Sequence, residues 1–147
     1  MFNSIVVGTD GSETAARAVT EAIDLASKLD AKLSVVSAYE PVSPARLREE
    51  AVQAPRDVEW TINPREDVDT VLAAAQEEAD GRGIEARTWA REGDPADAIL
   101  DVTEETGADL VVVGNKGMTG AKRFLLGSVP NKVSHHAPCS VLIIRTS

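Results

Sequence analysis

Asp109-Leu110-Val111-Val112-Val113-Gly114-Asn115-Lys116-Gly117, resumed after nine residues by Gly127-Ser128, is an apolar run that stops abruptly at glycine. Four aliphatic residues in succession read as a strand buried on both faces. A strand that ends in closely spaced glycines and gives way to a helix opening at Gly-Ser can hold phosphate oxygens on backbone N–H groups. This stretch therefore predicts a parallel sheet, with nucleotide binding at the carboxyl end of one strand.

Working outward, the same alternation of short apolar runs and longer periodic segments recurs. Ile5-Val6-Val7 and Leu33-Ser34-Val35-Val36 read as buried strands. Between them Ala15, Ala18, Val19, Ala22, Ile23, Ala26 and Leu29 fall at helical spacing behind a Ser12 cap. Val68, Val71, Leu72, Ala75 and Ala79 mark a second helix, closed by Gly81 and Gly83 before a strand at 84–89. Asp94-Pro95 is a good opening for a third helix, which continues through Ala98, Ile99 and Val102 to Gly107. Val141-Leu142-Ile143-Ile144 is the last strand, preceded by a helix over about 129–136. Strands apolar on both faces and joined by helices argue for a parallel sheet covered on both sides, an α/β fold. Residues 39–64 break the rhythm: Pro41, Pro44 and Pro55 and mixed charges make a long connection, with room for one short helix.

With 147 residues, 43% of them hydrophobic, the expectation is one domain spanning 1–147. A net charge of −9 and an aromatic content of 3% disfavour nucleic acid as a partner, because the charge repels a polyanion and few rings are left to stack bases. The charge is unevenly spread. No Asp or Glu occurs from residue 110 onward, where Lys116, Lys122, Arg123, Lys132 and Arg145 lie. The basic region coincides with the glycine stretch, although a solvated basic helix face has the same signature. Cys139 is the only cysteine, so no internal disulfide framework exists, and its place before an apolar run favours a packed residue over a nucleophile. The opening Met1-Phe2-Asn3-Ser4 lacks a signal-like pattern, and no apolar run approaches the ~18 residues of a membrane span. The expected setting is the cytoplasm, with no membrane association.

In an open parallel sheet, ligands lie beyond the carboxyl ends of the strands where strand order reverses. Two loops have suitable content: Gly8-Thr9-Asp10-Gly11-Ser12 after the first strand, and the glycine stretch after the fourth. Gly114 and Gly117 permit close approach of a phosphate, Gly127 and Ser128 offer N–H groups and a hydroxyl, and Lys116, Lys122 or Arg123 supply charge. Taken singly, each glycine is equally well an ordinary turn residue. No Walker A spacing is present, and Asp10 stands where a dinucleotide fingerprint requires glycine. Asp10 suits either a ribose hydroxyl or a cation such as Mg²⁺ on one side, or a helix-capping role on the other. His135 and His136 are adjacent, a poor arrangement for a metal and a good one for the end of a helix. No catalytic nucleophile or base can be identified by spacing.

These residues resemble the universal stress proteins over nearly the whole chain: the opening IVVGTDGS, the Ala-rich first helix, DLVVVGNKG, and the closing GSVPNKVSHHAPCSVLIIR. Gly114-x2-Gly117-x9-Gly127-Ser128 has the spacing of the ATP-binding branch. The resemblance implies a single open five-stranded parallel sheet, order 3-2-1-4-5, Rossmann-like, with helices on both faces and assembly as a homodimer. It also implies an adenine-nucleotide site at Thr9, Asp10, Ala38, Gly114, Lys116, Gly117, Gly127, Ser128 and Val129. There Asp10 meets the ribose and phosphate region, the backbone near Ala38 reads adenine, and the glycines with Ser128 and Val129 cradle ribose and phosphate. ATP is the implied ligand, with Mg²⁺ as a companion ion, and similar sequences bind cyclic AMP. Pro130 departs from the family's small residue and removes one N–H from the start of the helix.

The dimer has a physical argument of its own. If the run from Val141 to Ile144 forms a sheet edge, it must be paired or covered, and pairing across a twofold axis achieves this. The expected function is a stress-response regulator that binds ATP and acts on an unidentified protein partner. The alternatives are a cyclic-AMP binder, a slow ATPase or self-phosphorylating protein, and a dimerisation module that needs no nucleotide.

Overall fold

The computed structural model describes residues 1–39, 64–115 and 127–145. In chain order these form β1 (Ser4–Gly8), α1 (Glu13–Leu29), β2 (Lys32–Tyr39), α2 (Pro64–Gly81), β3 (Ala86–Glu92), α3 (Pro95–Thr106), β4 (Leu110–Gly114), α4 (Ser128–His136) and β5 (Ser140–Ile144). All strand pairs are parallel, and the order across the sheet is β3-β2-β1-β4-β5. The expected fold class and strand order are thus observed. Most of the long connection expected at 39–64, its short helix, and Lys116, Gly117, Lys122 and Arg123 lie outside the described residues.

Alternation along the strands builds two cores. Ile5, Val7, Leu33, Val35, Leu110 and Val112 point to one face, where Ala18, Val19, Ala22, Ile23 and Ala26 of α1 and Val68, Leu72, Ala75 and Ala79 of α2 cover them. Val6, Val36, Val111 and Val113 point to the other, under Ala98, Ile99 and Val102 of α3 and Val129 and Val133 of α4. The small alanines let α1 lie close to the sheet, and each fully buried Ile or Val is worth about 1.5–3 kcal/mol of transfer free energy.

The helix ends follow their sequence signals. Ser12 caps α1, its Oγ accepting from the Ala15 amide at 3.2 Å. Asp94 caps α3 with Pro95 in the first turn, and Gly107 closes it at φ 66°. One end departs from the rule: α1 terminates at Asp30, a left-handed non-glycine residue at φ 54°.

The two sheet edges differ. On β5, Leu142 and Ile143 are 37% and 36% exposed. On β3, Trp89 lies between two guanidinium groups, Arg87 at 4.6 Å and Arg91 at 5.1 Å from the ring. β3 also starts two residues later than the sequence pattern suggests and runs on to Glu92. Ile84 is instead spent in closing α2, where its amide donates to the Ala79 carbonyl at 2.9 Å.

Candidate functional site

The sheet reverses direction of growth between β1 and β4. From β1 the chain crosses to β2 over the α1 face, and from β4 it crosses to β5 over the α4 face. In open parallel sheets this reversal is where a ligand crevice forms, beyond the carboxyl ends of the two strands. Ile5, Val6 and Val7 pair with Leu110, Val111 and Val112, and extending that register sets Thr9 level with Gly114. The strand ends from which the two loops leave are therefore neighbours.

The β1 loop is shaped by its own side chains. Thr9 is buried, its amide donating to the Val36 carbonyl at 2.9 Å, which carries the β1–β2 ladder one step past the strand. Its hydroxyl accepts from the Gly11 amide at 3.1 Å, and Asp10 Oδ1 accepts from the Ser12 amide at 2.9 Å. These are local turns of the ST and Asx kinds, and they deliver the chain into α1. Asp10 thus has the helix-opening role with one carboxylate oxygen, and its side chain remains exposed at the mouth of the crevice. Gly11 has φ 83°, and a Cβ there would overlap Val71 Cγ2, so both conformation and space require glycine.

At the β4 side, the ends of the glycine stretch are clamped. The Asn115 amide donates to the Ile144 carbonyl at 2.9 Å, and the Gly127 amide donates to the Asn115 carbonyl at 2.9 Å. Gly127 is the N-cap of α4, and the first helical bond runs from the Asn131 amide to the Gly127 carbonyl at 3.0 Å. This refines the sequence reading of the helix opening. The Gly127 N–H is used to close the loop, and Pro130 has none, so among the described residues the donors left at this terminus are the Ser128 and Val129 amides. The positive end of the α4 dipole adds to them.

Ala38 stands near the end of β2, half-buried against the α3–α4 face, opposite Arg91 of β3. Thr9, Asp10, Ala38, Gly114, Gly127, Ser128 and Val129 thus occupy the rim of the sheet at its carboxyl end, while Lys116 and Gly117 fall outside the described residues.

Other sequence candidates sit elsewhere. His135 and His136 close α4, both exposed, with ring centroids 6.5 Å apart. Among the described residues no group of three His, Cys, Asp or Glu side chains could hold a metal ion. Cys139 is half-buried against the α4 face, and burial, with the charge of Asp109, pushes its thiol pKa up. Lys132, counted among the basic residues of the tail, is paired: its Nζ lies 2.8 Å from Asp97 Oδ1 and 3.4 Å from Asp94 Oδ2. Sequence alone gave no sign of this contact, which joins two helices through residues with no shared periodicity. No helix among the described residues is long and apolar enough to cross a membrane.

Comparison with known proteins finds relatives over the length of the chain. The model of the universal stress protein family matches residues 1–145. The universal stress protein YxiE of Bacillus subtilis is 36% identical over 148 residues, covering 99% of this chain and all of that protein. Universal stress protein Rv1636 of Mycobacterium tuberculosis is 38% identical over 150 residues, covering 99% of this chain and 98% of that one. Among solved structures, a universal stress protein in complex with cAMP superposes with a TM-score of 0.74 at 35% identity, covering 99% of each chain. The chain belongs to the universal stress protein family.

Proposed function

We propose that this chain binds an adenine nucleotide, ATP foremost, in the crevice between β1 and β4, and acts as a stress-response regulator through a homodimer. The observation that carries this reading is the clamp of Gly127 on Asn115. It brings the start of α4 beside the end of β4 and leaves the Ser128 and Val129 amides as adjacent donors for a phosphate. In this reading Gly114, Lys116 and Gly117 complete the phosphate side, Thr9 and Asp10 form the opposite wall, and the backbone at Ala38 meets adenine. Asp10 Oδ1 is held by the Ser12 amide. Its second oxygen is the group that a Mg²⁺ carried by the phosphates would meet.

The homodimer is assigned to β5, whose exposed Leu142 and Ile143 gain cover when two edges join across a twofold axis. The assigned setting is the cytoplasm, in keeping with a chain whose single cysteine can form no internal disulfide. Titration calorimetry with ATP, ADP, AMP and cyclic AMP tests the proposal. Micromolar to low-millimolar binding of at least one is expected, and no heat from any of them at millimolar ligand refutes it.

Cyclic AMP in the same crevice is a second reading, favoured by the 35% identical relative solved with that ligand. Competition separates the two: whichever of ATP and cyclic AMP displaces the other at the lower concentration is the preferred ligand.

A further inference from the structure

Lys132 lies in α4 one turn beyond the Ser128 and Val129 amides, and its ammonium is held between Asp97 and Asp94 of α3. Asp94 serves two contacts at once, since its Oδ2 also accepts from the Asp97 amide at 3.0 Å as the cap of α3. The preceding residue, Gly93, donates its amide to the Tyr39 carbonyl at 2.8 Å. Gly93 has φ 119° with nothing within 4 Å of where a Cβ would be, so the backbone angle alone requires glycine. Tyr39 ends β2 immediately after Ala38. A continuous line of contacts therefore runs from the end of β2, through Gly93 and Asp94, to Lys132 and the first turn of α4.

That line joins the two ends of the crevice. α4 has nine residues, too few to hold its place by helix propensity, so its position depends on packing and on contacts such as this one. Val129, Pro130 and Val133 anchor its inner side, and Lys132 ties down the side facing α3. The carboxylates of Asp97 and then Asp94 hold the Lys132 pKa above its ordinary value, so its charge is already matched.

We propose that Lys132 is a positioning residue: acting through Asp97 and Asp94, it sets the α4 amides at the phosphate end relative to the adenine end at β2, without touching the nucleotide. The proposal rests on the adenine-nucleotide reading above.

The test compares wild type, Lys132→Met, and the exchange Lys132→Asp with Asp97→Lys, using ATP and adenosine in calorimetry and amide hydrogen exchange on the ligand-free protein. Lys132→Met is expected to weaken ATP about three- to fivefold, the range of a partly exposed ion pair, and to leave adenosine unchanged. The exchange variant is expected to recover part of the lost ATP affinity, because the bridge to position 97 is re-formed with its polarity reversed while Asp94 is unchanged. Exchange at the Asn131 amide, which closes the first turn of α4 on the Gly127 carbonyl, should quicken in Lys132→Met and recover in the exchange variant. Three results would overturn the positioning role while leaving the nucleotide reading intact: equal ATP affinity in wild type and Lys132→Met, equal losses for ATP and adenosine, or no recovery in the exchange variant. Absence of ATP binding in the wild type, with the amide exchange altered as described, would instead remove the nucleotide reading and this role with it.

Discussion

The Asp109 amide donates to the Ser4 carbonyl at 3.0 Å, and the Asp109 carboxylate answers by accepting from the Ser4 amide at 3.0 Å and the Asn3 amide at 3.0 and 3.1 Å. One residue ahead of β4 thus fastens the start of β1. The Asn3 amide first and the Ser4 amide second hold this carboxyl below its ordinary pKa. A lowered folded pKa means that the contribution is present above the unfolded value of about 3.9 and is lost as pH falls through the folded one. We expect Asp109→Asn to lower the thermal midpoint at pH 7 and the gap to the wild type to narrow at pH 3. Melting curves at the two pH values check this, and an equal gap at both would contradict it.

Gly11 is constrained twice, by φ 83° and by Val71. Gly11→Ala is expected to cost about 1–3 kcal/mol, the range for a strained non-glycine backbone with an added overlap. Urea unfolding measures the loss. If the additional Gly11→Ala, Val71→Ala pair is no better than Gly11→Ala corrected for Val71→Ala alone, the overlap has no part in it.

Ile99 of α3 is completely buried between Val6, Val36 and Val111 on one face of the sheet and the neighbouring residues of α3 and α4. Ile99→Ala should lower stability by about 2–5 kcal/mol and Ile99→Val by about 0.5–1.5 kcal/mol. Chemical denaturation of both variants checks the ratio. Near-equal values would mean that the site collapses around the cavity.

Asp10 separates two roles because asparagine keeps the oxygen that accepts from Ser12 and loses the charge. Asp10→Asn should leave the unfolding midpoint unchanged and weaken Mg²⁺-ATP about tenfold, the worth of one charge-assisted contact. Unchanged affinity, measured by calorimetry, would confine Asp10 to opening α1.

Exposed Leu142 and Ile143 make the assembly testable without disturbing the core. Ile143→Glu should leave the circular dichroism spectrum intact and convert a dimer to a monomer in sedimentation at micromolar concentration. A monomeric wild type under those conditions would dismiss the β5 pairing.

Much of the fold could be read from the chain because its signals are local. Val111, Val112 and Val113 announce a two-sided strand, and Ser12, Asp94-Pro95 and Gly107 mark helix ends by their own chemistry. Asp30 escaped notice because a left-handed helix end is usually written with glycine. β3 was misplaced by two residues because Arg87 and Arg91 interrupt its apolar pattern, and no periodic signal fixes its start. At the site, the glycine spacing marks Gly114 and Gly127, which the structure places at the end of β4 and at the cap of α4. The sequence pattern offers the Gly127 amide as a donor, since a bond to Asn115 across a long loop leaves no trace in either residue's neighbours. Lys132 likewise counted as free charge, because its partners lie on a different helix.

The contrast between the two outer strands sets a ceiling on growth. If two copies join through β5 as proposed, apolar residues meet at the seam and the guanidinium groups of β3 lie at both outer borders. In the proposed homodimer, a further copy that approached through its own β3 would bring these guanidinium groups together, which disfavours growth into a ribbon. Removing Arg87 and Arg91 would therefore put solubility at risk long before it affected the fold.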